Sequence, residues 1–125
     1  MEMTLRCEIF PVDLDATVDF YARVLRFAVL KDQRHDPPAY VYLGRGAVRV
    51  GAVRADAADV RSARLPPTGV ELVLEVDDVS AERDRVAAAG WPIDEDLRLR
   101  PWGLTDFRIL DPDAYYLRIT DRAAD

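Results

Sequence analysis

The stretch that decides the fold lies near the end of the chain, Pro101 to Thr120: PWGLTDFRILDPDAYYLRIT. It reads as two strands joined by a tight acidic turn. Asp111-Pro112-Asp113 supplies the turn, because Pro presets φ and Asp side chains bond nearby backbone N–H groups. Before it, Phe107, Ile109 and Leu110 form an apolar run. After it, Tyr115, Leu117 and Ile119 alternate with Tyr116, Arg118 and Thr120, the pattern of a strand with one apolar and one polar face. Asp111 and Asp113 are therefore expected to be turn residues rather than catalytic acids.

Working backward, the same order of elements appears twice. Leu5, Cys7 and Ile9 alternate with Arg6, Glu8 and Phe10 in a first strand over Leu5–Val12. Asp13 and Asp15 offer N-caps, and Val18, Tyr21, Ala22 and Leu25 recur at helical spacing, which predicts a helix over Ala16–Arg26. Phe20 and Tyr21 are expected in its core face. Phe27–Lys31 and Tyr40–Leu43 read as strands, Gly44-Arg45-Gly46 as a hairpin turn, and Ala47–Arg54 as the returning strand. The second half repeats this with a strand over Val70–Val76, caps at Asp77, Asp78 and Ser80, a helix ending at Gly90, a short strand within Trp91–Leu99, and the final hairpin. Val12-Asp13 matches Val76-Asp77 at an offset of 64, counted along the sequence. The chain is thus expected to be an α+β protein of two βαβββ modules, about 3–54 and 69–121, joined by a linker over 55–68 into one domain spanning 1–125, with a curved mixed sheet around a central cleft.

Composition narrows the partners. The chain has 125 residues, half of them hydrophobic, and a formal charge of −6. That is enough apolar material for one core. The acidic balance without a Lys/Arg cluster argues against nucleic acid and anionic membranes. No run reaches the length of a membrane span and no secretory h-region opens the chain. With a lone Cys7 there is no internal disulfide. A cytoplasmic, bacterial protein is expected.

With these residues in view, the chain resembles the vicinal oxygen chelate superfamily of glyoxalase I, ring-cleaving dioxygenases and bleomycin-resistance proteins. The resemblance rests on Val12-Asp13-Leu14, Phe20-Tyr21, Val24-Leu25 and Phe27 in the first half. In the second half it rests on Val76-Asp77-Asp78-Val79, Ala88-Ala89-Gly90, Pro101-Trp102-Gly103, Phe107 and Asp111-Pro112-Asp113. Two positions depart from the family pattern. Arg26 stands where Gly is usual, and Ala114-Tyr115 where Gly-Asn is usual, so Ala114 is expected to sit in a slightly different turn.

Metal-dependent members of the family use four ligands, two from each half. The resemblance places these on Arg6, Arg49, Glu71 and Arg118. Arg keeps its proton and offers no lone pair, so no metal, no cofactor and no catalytic residue is assigned. The polar face carries Arg6, Glu8, Phe10, Arg49, Gly51, Glu71, Val73, Glu75, Tyr116, Arg118 and Thr120. Its charges either pair among themselves or orient a ligand. The candidate ligand-binding residues are Arg6, Phe10, Tyr40, Tyr42, Arg49, Glu71, Trp102, Tyr116 and Arg118. His35 is expected at the surface and Trp91 in the core or an interface.

The function this implies is a metal-independent small-molecule binding protein, of the kind that sequesters an antibiotic, working as a homodimer. The alternatives are a superfamily enzyme of lyase, isomerase or dioxygenase type with a non-standard site, and a ligand-free accessory dimer module.

Overall fold

The computed structural model describes residues 2–55 and 69–122. The chain divides into two compact units, residues 1–59 and 60–125. The expected linker 55–68 lies almost wholly outside the described residues.

The first unit runs β1 (Arg6–Ile9), α1 (Leu14–Val18), a π-helical continuation (Asp19–Val24), β2 (Ala28–Gln33), β3 (Tyr40–Arg45) and β4 (Val48–Val53). The sheet order is β1-β4-β3-β2. β1 pairs with β4 in parallel, and the other two pairings are antiparallel. The second unit repeats this plan: β5 (Leu72–Val76), α2 (Val79–Ala88), β6 (Glu95–Leu99), β7 (Thr105–Leu110) and β8 (Tyr116–Asp121), ordered β5-β8-β7-β6. The two βαβββ modules expected from the repeat are present.

Each helix starts on an aspartate. The Asp13 side chain accepts the Ala16 amide and the Asp78 side chain accepts the Ala81 amide, which satisfies otherwise orphaned N–H groups. The first helix begins at Leu14 and ends at Val24, two residues earlier at each end than its periodicity suggests. Asp13 rather than Asp15 caps the start, and the end follows from the π-helical register, in which the Leu25 amide bonds the Phe20 carbonyl at 3.1 Å. The wider turn puts Phe20, Tyr21, Val24 and Leu25 all inside. Tyr21 meets Phe20 and Phe27 edge-on, at centroid distances of 4.9 and 5.5 Å.

Strand cores follow the alternation. Val41, Leu43, Val50 and Ala52 are buried in the first sheet, and Phe107, Ile109, Leu117 and Ile119 in the second. The first hairpin differs from its sequence reading. The turn is Gly46-Ala47, with Gly46 at φ 54°, and Gly44 lies inside β3. A Cβ at Gly44 would come within 2.8 Å of both the Leu30 side chain and the Arg49 guanidinium, so Gly44 is glycine for close approach and not for a turn.

Arg26 and Ala114 both hold left-handed backbone, at φ 59° and 65°. Ala114 therefore keeps the glycine-type turn rather than a different one. The Asp111 side chain holds it there by accepting the amides of Asp113 and Tyr115, both at 2.9 Å.

Candidate ligand-binding faces

The residue partners in each ladder fix which side chains share the face away from the helix. In the first unit Arg6 lies opposite Arg49, and Glu8 opposite Gly51, which in turn lies opposite Tyr42. Arg6 reaches Glu8 at 3.3 Å, and its guanidinium carbon sits 5.9 Å from the Tyr42 ring centroid. The Tyr40 hydroxyl donates to Glu8 at 3.4 Å. Gly51 makes this possible, because a Cβ there would collide with the Glu8 carboxylate and the Tyr40 hydroxyl. Burial raises the Tyr40 pKa, and the charge of Glu8 adds to the rise against the opposing pull of Arg6.

Arg49 goes elsewhere. Its Nη1 donates to the carbonyls of Gly46 and Val48, at 2.7 and 2.8 Å, closing the β3–β4 turn. Phe10, just beyond β1, is half exposed.

In the second unit Val73 lies opposite Arg118, which lies opposite Arg108. Arg118 Nη2 is 2.9 Å from Glu71 Oε1. The Trp102 ring lies 5.6 Å from the Arg118 guanidinium carbon, within cation–π range. Trp102 is held there by the tight β6–β7 turn. The Gly103 amide bonds the Arg100 carbonyl at 2.9 Å, and Gly103 takes φ 93°, a conformation that favours glycine. Trp102 is 56% exposed, a large aromatic left in solvent. Tyr116 receives a 3.3 Å hydrogen bond from Arg108 Nη1 and stands 5.9 Å from that guanidinium carbon.

Four residues on this face were not singled out from the sequence. Asp106 is fully buried and sits 2.9 Å from Arg100 and 3.5 Å from Arg108. Glu95 binds Arg100 at 2.7 Å, and that hydrogen bond holds its carboxyl below the ordinary carboxylate range against the effect of burial. The signal was available: Asp106 and Arg108 alternate with Phe107 and Ile109, so they share the face of Arg118. The Trp91 indole N–H donates to the Leu110 carbonyl at 2.8 Å, a structural role. His35 is exposed.

The residues at the four family ligand positions do not fit a divalent ion. Three are guanidinium groups, and the carboxylate of Glu71 already faces one of them. Among the described residues no three His, Cys, Asp or Glu side chains group as a metal site. Nor is any helix among them long and apolar enough to cross a membrane.

Family comparison agrees with this architecture. The model of the Glyoxalase/Bleomycin resistance protein/Dioxygenase superfamily matches residues 5–119, and the chain belongs to that superfamily. Comparison with curated proteins found no match. Among solved structures, TioX from Micromonospora sp. ML1 is 25% identical, with a TM-score of 0.78 over 98% of this chain and 100% of its own. A bleomycin resistance determinant encoded on the transposon Tn5 is 21% identical, with a TM-score of 0.77 over 98% and 100%. A bleomycin-binding protein complexed with bleomycin is 21% identical, with a TM-score of 0.71 over 98% and 99%.

Proposed function

We propose that this protein binds a small organic molecule without a metal ion, as a sequestering protein of the bleomycin-resistance type. The observation that carries the reading is the Trp102–Arg118–Glu71 arrangement. At the fourth ligand position a guanidinium replaces a metal-binding carboxylate, and a half-exposed indole covers it. Aromatic walls beside a few fixed polar groups are the usual lining of a small-molecule site. Tyr42 above Arg6 repeats the aromatic–guanidinium pairing in the first module. The bleomycin resistance determinant and the bleomycin-binding protein among the solved structures support the same reading through the shared fold. The resemblance further suggests a homodimer, and the sequence reading a cytoplasmic location.

Calorimetric titration of the protein with a panel of planar natural products, bleomycin included, tests this. At least one should bind with a dissociation constant below about 1 mM, or 4 kcal/mol, and Trp102→Ala should weaken it. Absence of any such ligand across the panel would leave the paired charges as a purely structural network and favour an accessory module.

A further inference from the structure

We infer that the second module carries an oxyanion subsite between Arg108 and Arg118, so that the ligand presents a carboxylate, sulfate or phosphate group beside its planar part. This rests on the small-molecule reading above and names the chemistry of that ligand.

Arg108 and Arg118 lie directly opposite each other on neighbouring strands. Like charges in that position destabilise a sheet. Both side chains are also largely buried, 16% and 22% exposed, where repulsion is less screened. Glu71 and Glu95 lie at the strands that flank this pair, and Asp106 lies two residues along β7 from Arg108. Glu71 precedes β5, the strand on the outer side of Arg118. Glu95 is on β6, on the outer side of Arg108.

Glu95 and Asp106 serve Arg108 poorly. Arg100 takes Glu95 at 2.7 Å and Asp106 at 2.9 Å. Arg108 is left with contacts of 3.5 Å to Asp106 and 4.0 Å to Glu95. Arg98 adds a further guanidinium 3.7 Å from Glu95. Four arginines (98, 100, 108 and 118) thus share the three carboxylates of Glu71, Glu95 and Asp106 in this ion-paired group.

The donors are also unfulfilled. Arg108 Nε and Arg118 Nε are both buried without a hydrogen-bond partner. Arg85 Nε on α2 is a third such donor among the described residues, but only Arg108 and Arg118 face each other, and buried polar groups are rarely left so. An oxyanion bridging the two guanidinium groups supplies acceptors and cancels the repulsion, and Arg suits carboxylate, sulfate and phosphate geometry. Engaging the anion through Nε–H requires each side chain to turn towards it. Tyr116 beside Arg108 and Trp102 beside Arg118 then flank the organic part.

The test compares 2-naphthoate with 2-naphthamide by calorimetry, and sodium sulfate alone by the arginine Nε–H resonances of the ¹⁵N-labelled full chain. The acid should bind at least about tenfold tighter than the amide. Sulfate should move the Arg108 and Arg118 resonances, and if it competes as strongly as naphthoate the subsite takes a free oxyanion. Arg108→Lys and Arg118→Lys keep the charge towards Asp106 and Glu71 but lack Nε–H, and should cut the acid preference to about twofold or less. Their thermal unfolding shows that they are folded. Equal binding of acid and amide, with unmoved resonances, would overturn the oxyanion subsite and leave the small-molecule reading standing. Binding of neither probe with unmoved resonances would also overturn the oxyanion subsite, and the small-molecule reading falls with it only if the wider panel of natural products binds nothing either.

Discussion

Arg118 Nη2 stands 2.9 Å from Glu71 Oε1, so two of the four family ligand positions face each other as an ion pair within one module. A guanidinium in that place does for Glu71 what a metal ion would do, and it makes the carboxylate unavailable as a ligand. The exposed Trp102 ring lies 5.6 Å from the guanidinium carbon of the same Arg118.

If that pairing defines the site, Ni²⁺, Mn²⁺, Zn²⁺ and Fe²⁺ should leave the thermal midpoint unmoved, and the purified protein should contain no stoichiometric metal by mass spectrometry. Arg118→Met should cost only about 1 kcal/mol, because losing the Glu71 pair is partly offset by relief of the repulsion from Arg108 across the strand pair. It should also change the Trp102 fluorescence. A large, specific shift with one ion would show that the metal ligands lie elsewhere in the chain.

Asp106 should be the costliest polar residue of the second module. It is fully buried between two arginines. Asp106→Ala leaves Arg100 only Glu95 and Arg108 only its long contact with Glu95 as acidic partners, and a loss of about 3 kcal/mol is expected. Urea unfolding of the variant measures it. A loss under about 1 kcal/mol would mean that water reaches the network freely.

Ala114 and Arg26 hold left-handed backbone, which costs a residue bearing a Cβ about 1 kcal/mol or more. Glycine removes that strain but adds freedom to the unfolded chain, an offset of about 0.4–1 kcal/mol. Ala114→Gly and Arg26→Gly should therefore be neutral or stabilising by up to about 1 kcal/mol each. Glycine at an ordinary strand position such as Val53 should destabilise. Denaturant midpoints of the three variants decide this.

Stability should fall on the acid side, and Glu95 should contribute to it. The hydrogen bond from Arg100 holds its carboxyl below the ordinary range, with burial opposing. Between that lowered value and the unfolded value of about 4.3, the unfolded chain binds more protons than the folded one. The contribution is fully present above about pH 5 and is lost as pH falls through the folded value. Urea unfolding at pH 7 and at pH 3.5 should show a smaller difference in Glu95→Gln than in the unchanged protein. An equal difference would mean that Arg100 does not discriminate between the two forms.

The sequence by itself determined the module. Period-two alternation, aspartate caps and the Asp111-Pro112-Asp113 turn are local physics, and they specify strands, helix starts and the final hairpin without reference to distant residues. The repeat gave the second copy. Only the tertiary structure decided the rest. The π-helical turn at Asp19–Val24 arises because Phe20, Tyr21 and Leu25 must all enter one core. Gly44 and Gly51 are glycines because neighbouring side chains lie across them, a requirement set by strand pairing and invisible to turn rules. The partners of the arginines depend on register as well. Arg49 closes a turn while Arg118 meets Glu71, although both read from sequence as the same kind of residue on the same kind of strand. A long charged side chain has several partners within reach, and only the placement of neighbouring strands selects among them.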